Sequence, residues 1–258
     1  MRLQPILSTF VAISLVIASQ LALAGTISAS YSSSADFGSG GVGYYNGSVV
    51  PNPNSTTNLV GVGIGGDSFT SSDHSYDFSA KGQFNTWCVD IYHWMSGGSV
   101  TYNVATVSDL TTALNAVPSV GGSGATRVAK LGELANEVYQ SVDTKVESAA
   151  FQLAVWAVTY GTADGTGHFH IDTTNPGFRV DSATASSAYG VLANQWLNQI
   201  GSVADTANYK ITYLSDGTAE NTQDMVVFTN VPEPASLGLL AFGLVGLGFA
   251  RLREQKAA

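Results

Sequence analysis

The spacing of apolar positions changes twice along the chain. From Gly25 to about Gly66, isolated apolar residues are scattered among Gly, Ser and Asn. Tyr44, Val49 and Val50 lead into Pro51-Asn52-Pro53-Asn54, and Leu59-Val60 into an alternating Gly-Val-Gly-Ile-Gly. This pattern predicts short strands joined by long turns, with a flexible linker as the other reading of the same composition. Between Ser75 and Val107, three stretches rich in aromatic and β-branched residues read as strands: Tyr76/Phe78, Phe84 to Tyr92, and Ser99 to Val107. The period then becomes helical. After the Gly/Ser break at Val120–Gly124, Val128, Leu131, Leu134, Ala135, Val138 and Tyr139 share one helix face. A second helix is predicted from Lys145 to Tyr160, stopped by Gly161. A third carries Ala185, Tyr189, Leu192, Ala193, Trp196 and Ile200 and stops at Gly201. Tyr209 to Leu214 and Met225 to Thr229 return to strand, joined across Ser215-Asp216-Gly217. Strands, then helices, then strands predict an α+β fold whose β-rich N-terminal and C-terminal parts flank a helical segment.

Composition narrows the function. Only 11% of the 258 residues are charged, 45% are apolar, and the formal net charge is −9. An acidic chain lacks the basic face that neutralises nucleic-acid phosphates, so no nucleic-acid partner is expected. The single cysteine, Cys88, excludes a disulfide framework and any Cys-rich zinc site.

Both ends read as addresses. Met1-Arg2, the apolar run from Phe10 to Ala18 and the small-x-small Ala22-Leu23-Ala24 form a secretory signal peptide over residues 1–24. At the other end, residues 231–258 hold Pro232-Glu233-Pro234, an apolar segment from Leu237 to Ala250, and then Arg251, Arg253 and Lys256. The apolar segment is short against the about 17–25 residues of a bilayer span, and its basic flank would stay cytoplasmic. It is expected to be a single transmembrane tail behind a rigid Pro-Glu-Pro hinge. These three parts in this order resemble the PEP-CTERM sorting signal of Gram-negative bacteria. The resemblance implies recognition of Pro232, Glu233 and Pro234 by exosortase, a membrane-embedded processing enzyme. It also implies transient anchorage in the inner membrane and delivery to the cell envelope, outer surface or extracellular matrix. Residues 25–230, the exported domain, keep six basic side chains against 17 acidic ones, a net charge of −11.

Two segments of that domain carry candidate chemistry: Asn85-Thr86-Trp87-Cys88-Val89-Asp90-Ile91-Tyr92 and Ala149-Ala150-Phe151-Gln152-Leu153-Ala154-Val155-Trp156-Ala157-Val158. In the second, Gln152 is the only polar residue on a helix apolar nearly all round, which predicts burial. An unpaired amide there costs about 1–3 kcal/mol, so Gln152 must find a partner or cease to be an amide. A cysteine thiolate can attack a glutamine carboxamide, expel ammonia and leave an internal thioester, which an incoming amine or hydroxyl later opens. The reaction needs proximity, exclusion of water and a proton carrier. Trp87, Trp94, Phe151 and Trp156 are candidates to exclude water, and Asp90 or His93 to move protons.

The aromatic-Cys-Val segment and Gln152-Leu153-Ala154-Val155-Trp156 resemble bacterial thioester domains. The resemblance implies a thioester-domain-like fold and a Cys88–Gln152 bond. The bland readings stay open: a buried hydrophobe for Cys88 and a backbone-bonded amide for Gln152. His168 and His170 in Gly-His-Phe-His would share a strand face as metal ligands do, but a solvated loop explains them as well. Asp67, Asp73 and Asp77 lack the ligand spacing of an EF-hand. No cofactor, metal, catalytic residue or enzymatic turnover is expected. The leading expectation is an exported surface or matrix protein that traps an amine or hydroxyl on a polysaccharide or protein through Cys88 and Gln152. The alternative is a passive structural component of the extracellular polymer or biofilm matrix. A secreted hydrolase or carbohydrate-binding module is a third reading.

Overall fold

The structure, a computed structural model, describes residues 25–34, 45–50, 60–93, 98–117, 122–201, 208–216 and 222–231. Six strands close into an antiparallel barrel: β1 (Gly25–Ser34), β4 (Asp67–Thr70), β5 (Gln83–Cys88), β9 (Met225–Asn230), β8 (Tyr209–Asp216) and β6 (Ser99–Ala105), in that order around the wall. Strands β2 (Tyr45–Val50), β3 (Val60–Ile64) and the two-residue β7 (Arg179–Val180) form a second sheet in the order β3-β2-β7. The expected mixture of strands and helices holds, with both β-rich parts contributing to one barrel.

Side-chain alternation explains which strands lie where. In β1, Ile27 and Ala29 are buried while Thr26 and Ser28 are exposed; in β6, Val100 and Tyr102 are buried between exposed Ser99, Thr101 and Asn103. Period two with one wet face is the signature of a wall open to solvent outside. Strands β8 and β9 instead bury four consecutive residues each, Ile211–Leu214 and Met225–Phe228, because helices cover their outer face. Inside the barrel, Phe69 packs against Phe84 and edge-on against Tyr102 and Tyr31, with ring centroids 5.9–6.0 Å apart.

The helical segment holds α1 (Val107–Ala116), α2 (Gly124–Val138), α3 (Lys145–Tyr160), α4 (Ser182–Ser186) and α5 (Ala188–Leu197). Helix α3 is central, in contact with α2, α5, β3 and β5. Every residue from Ser148 to Tyr160 is buried, as its all-round apolar sequence requires. A capping box between Thr144 and Glu147 starts it and Gly161 ends it. Arg127 of α2, itself wholly buried, donates to the carbonyls of Val158 (2.9 Å), Thr159 and Gly161, supplying the positive charge that a helix C-terminus favours.

Four local expectations differ from the structure. The strand expected through Val107 stops at Ala105, because Thr106 and Asp109 form a capping box that starts α1. The strand expected from Phe84 to Tyr92 ends at Cys88, where Asp90 caps the Tyr92 amide and the Tyr160 hydroxyl takes the Ile91 amide. Tyr76 caps and Phe78 lies within a single 3-10 turn, Asp77–Ser79, rather than in a strand. The third helix divides at Ser187, whose extended backbone and side-chain cap on Gly190 start α5 afresh. Among the described residues no helix is long and apolar enough to cross a membrane. The signal peptide at 1–24, the Pro232-Glu233-Pro234 hinge and the tail expected to span a membrane lie outside the described residues.

Candidate functional site around Cys88 and Gln152

Strand β4 pairs with β5 through Asp67↔Thr86 and Phe69↔Phe84. The next step of this ladder would set residue 65 opposite Cys88, but β4 begins only at Asp67. Helix α3 fills the place. Gln152 Oε1 accepts from the Cys88 amide at 3.0 Å and Gln152 Nε2 donates to the Cys88 carbonyl at 2.9 Å. One turn earlier, Ser148 Oγ accepts from the Gly66 amide at 2.9 Å. The two polar residues of a buried helix face, four apart, thus stitch α3 to the end of the β4–β5 ladder. Sequence reasoning singled out Gln152 and missed Ser148, although the Ser-x-x-x-Gln spacing was there to be seen.

Gln152 is wholly buried and Cys88 is 3% exposed. The Cys88 thiol donates to the Asp90 carbonyl at 3.0 Å. Burial pushes the thiol well above its usual range, only partly offset by the neighbouring Trp156 indole and the Asp90 carbonyl. Trp156 Nε1 is buried and makes no well-formed hydrogen bond, so a strong donor stands beside the sulfur with its capacity unspent. Trp87, on the opposite face of β5 from Cys88, packs its ring 4.7 Å from Phe151 and donates to the Tyr139 hydroxyl. It seals the site from the helix side. Gly66 makes this possible: a Cβ there would lie 2.8 Å from the Trp87 ring.

The structure therefore brings Cys88, Gln152, Trp87, Phe151, Trp156 and the Asp90 main chain together. The Asp90 carboxylate turns away, to the Tyr92 amide and to His93 Nδ1. His93 is exposed, and its hydrogen bond to Asp90 raises its pKa. Trp94 lies outside the described residues. The Tyr160 hydroxyl donates to the Val89 carbonyl at 2.9 Å and accepts from the Ile91 amide, holding the chain just beyond Cys88. Beside this turn lies a cleft of about 270 Å³ whose lining includes Val89, Asp90, Leu110, Tyr160, Tyr213 and Asp224. Burial raises the Asp224 carboxyl, and the Tyr213 hydroxyl is hydrogen-bonded to it.

Asp67 stands apart from the two aspartates weighed with it in the sequence. It does not cluster with Asp73 and Asp77. It sits opposite Thr86 on the face that carries Cys88, and burial pushes its carboxyl up to about 7. His168 and His170 lie in a loop, where His170 Nε2 bonds Asp164 at 2.8 Å and His168 Nδ1 is buried without a partner. Among the described residues no three His, Cys, Asp or Glu side chains gather as metal ligands do.

Residues 230–253 match the PEP-CTERM protein-sorting motif, which begins at the last residue of β9. The motif implies an exported protein that exosortase processes at the cell envelope. No curated protein and no solved structure matches the chain.

Proposed function

We propose that this exosortase-sorted protein is a single-use covalent trap built on Cys88 and Gln152. The observation that carries the reading is the docking of the Gln152 carboxamide on the Cys88 main chain in a buried site. That docking holds the carboxamide against the residue whose sulfur would attack it, which supports an intramolecular acyl transfer. The Cys88 thiol loses its proton and its sulfur attacks Cδ of Gln152. The C–N bond breaks, ammonia leaves with the proton, and a thioester remains. An amine or hydroxyl on a surface polysaccharide or protein then attacks the same carbon and releases the thiol. The unspent Trp156 N–H, a neighbour of the sulfur, would stabilise it as it leaves. The trap works once, so the protein is not an enzyme. Its place of action is the outer surface or matrix of a Gram-negative cell, reached by way of the inner membrane.

The intact mass of the exported protein tests this. A thioester makes the chain lighter by one ammonia and heavier again by one methylamine after treatment, and Cys88→Ala abolishes both changes. An unmodified mass with a free, titratable thiol sinks the reading. The same pair of hydrogen bonds also favours a second reading, a passive matrix component in which Gln152 is simply a satisfied buried amide. Binding to extracted matrix polysaccharide that survives Cys88→Ala supports that one.

A further inference from the structure

We propose that Asp67 is the proton-transfer residue for Cys88, taking the thiol proton and delivering it to the departing ammonia; this rests on the thioester reading above. Three observations converge on it. The β4–β5 register sets Asp67 opposite Thr86, and Cys88 lies two residues further along β5 on the same face. The two side chains are therefore diagonal cross-strand neighbours, with Cβ atoms ~7–8 Å apart, a span that side-chain rotation or one bridging water closes. Secondly, Asp67 is half-buried at the barrel end, where burial raises its carboxyl to about 7. Near neutral pH it therefore exists in both protonation states, as a group that must first accept and then donate a proton requires. Thirdly, Tyr102 of β6, wholly buried, faces the same interior with a hydroxyl that has no hydrogen-bond partner and senses the charge on both Asp67 and Cys88. That hydroxyl is the donor available to a newly formed Asp67 carboxylate.

The candidates named by sequence are placed worse. The Asp90 carboxylate is engaged by Tyr92 and His93, and only its main-chain carbonyl meets the thiol. In the step, the Cys88 S–H proton moves to the Asp67 carboxylate as sulfur bonds to Gln152 Cδ. The Asp67 carboxylic acid then protonates Nε2 as the C–N bond breaks. Thiol and carboxamide become thioester and ammonia, and Asp67 ends as it began. Cys88 and Tyr102 both sense the Asp67 charge, and the other titratable groups facing that pair are Asp90, Asp216 and Asp224.

The test follows ammonia loss by intact mass after refolding of the exported protein across pH 5–9, in the wild type and in Asp67→Asn, Asp67→Glu and Asp90→Asn. The wild-type rate is expected to rise through about pH 7. Asp67→Asn should slow the reaction by about 10²-fold or more while keeping native tryptophan fluorescence, Asp67→Glu should restore part of the rate with a displaced pH profile, and Asp90→Asn, whatever its rate, should keep the wild-type pH profile. Wild-type rate and profile in Asp67→Asn overturn the proposal and leave the thioester standing. So does loss of the pH dependence in Asp90→Asn. If Asp67→Asn does not fold, the Asp67→Glu profile decides, and an undisplaced profile overturns the assignment. A wild type that never loses ammonia overturns both this proposal and the function it rests on.

Discussion

The Gln152 carboxamide holds the amide and the carbonyl of Cys88 at once, taking the place of the strand that β4 is too short to supply. Removing it leaves two buried main-chain groups unsatisfied. Measured in a Cys88→Ala background, where no thioester can form, Gln152→Ala should lower unfolding free energy by about 1–3 kcal/mol for each orphaned group. Gln152→Glu can reproduce both bonds only as the neutral acid. Its folded pKa is then raised, and its stability should fall as pH climbs above the ordinary carboxyl value of about 4.3. Urea titrations at two pH values check both.

Arg127 closes the other end of the same helix. Its guanidinium serves carbonyls of Val158, Thr159 and Gly161 that have no further helical partner. Arg127→Ala is expected to cost about 3 kcal/mol or more, since charged hydrogen bonds contribute about 1.5–3 kcal/mol each. Arg127→Lys should recover only part, because an ammonium cannot span several carbonyls in a fork. Thermal unfolding followed by circular dichroism gives the ranking.

Gly66→Ala would drive a methyl group to 2.8 Å from the Trp87 ring. The expected loss is about 1–3 kcal/mol, with a change in the emission of buried Trp87 and faster reaction of Cys88 with a thiol reagent in the Gln152→Ala background.

Asp67 makes stability fall as pH rises. Its carboxyl titrates at 3.8 in the unfolded chain and at about 7 in the fold. Between these values the native state binds the extra proton, so unfolding free energy declines from about pH 4 to about pH 7 and is level above. The decline amounts to at most ~4 kcal/mol at 1.36 kcal/mol per unit, less what residual solvent contact screens. Asp67→Asn should remove this part of the slope, read from unfolding midpoints across that window.

Tyr160→Phe deletes one hydroxyl that serves both Val89 and Ile91. About 1–2 kcal/mol of stability should go. If the thioester is present, its spontaneous hydrolysis should quicken as the turn after Cys88 loosens, which mass loss over time records.

Much of the local structure was legible. Helix α3 announced itself through its apolar run, the Thr144/Glu147 cap and Gly161, and β8 and β9 through β-branched and aromatic density. Helix α1 was missed because Val100, Tyr102 and Val104 set a strand pattern that carried past the Thr106-x-x-Asp109 cap. The break at Ser187 was hidden because apolar spacing continues through it. Barrel closure could not be read, since it depends on β1 meeting both β4 and β6 and on β5 meeting β9 far along the chain. Asp67 was illegible for the same reason. The role proposed for it comes from the β4–β5 register, which its sequence neighbours do not reveal.

Strand β9 ends where the sorting motif begins, and it lies beside β5, with Cys88 opposite Met225. On the proposed reading a captured partner is bonded to Gln152 Cδ on α3, and α3 docks on the Cys88 main chain at the end of β5. A pull between that partner and an attachment beyond Asn230 would therefore enter the barrel beside β5 and leave it through β9, which β8 braces along its whole length. The load would cross paired strands of the wall rather than a loop.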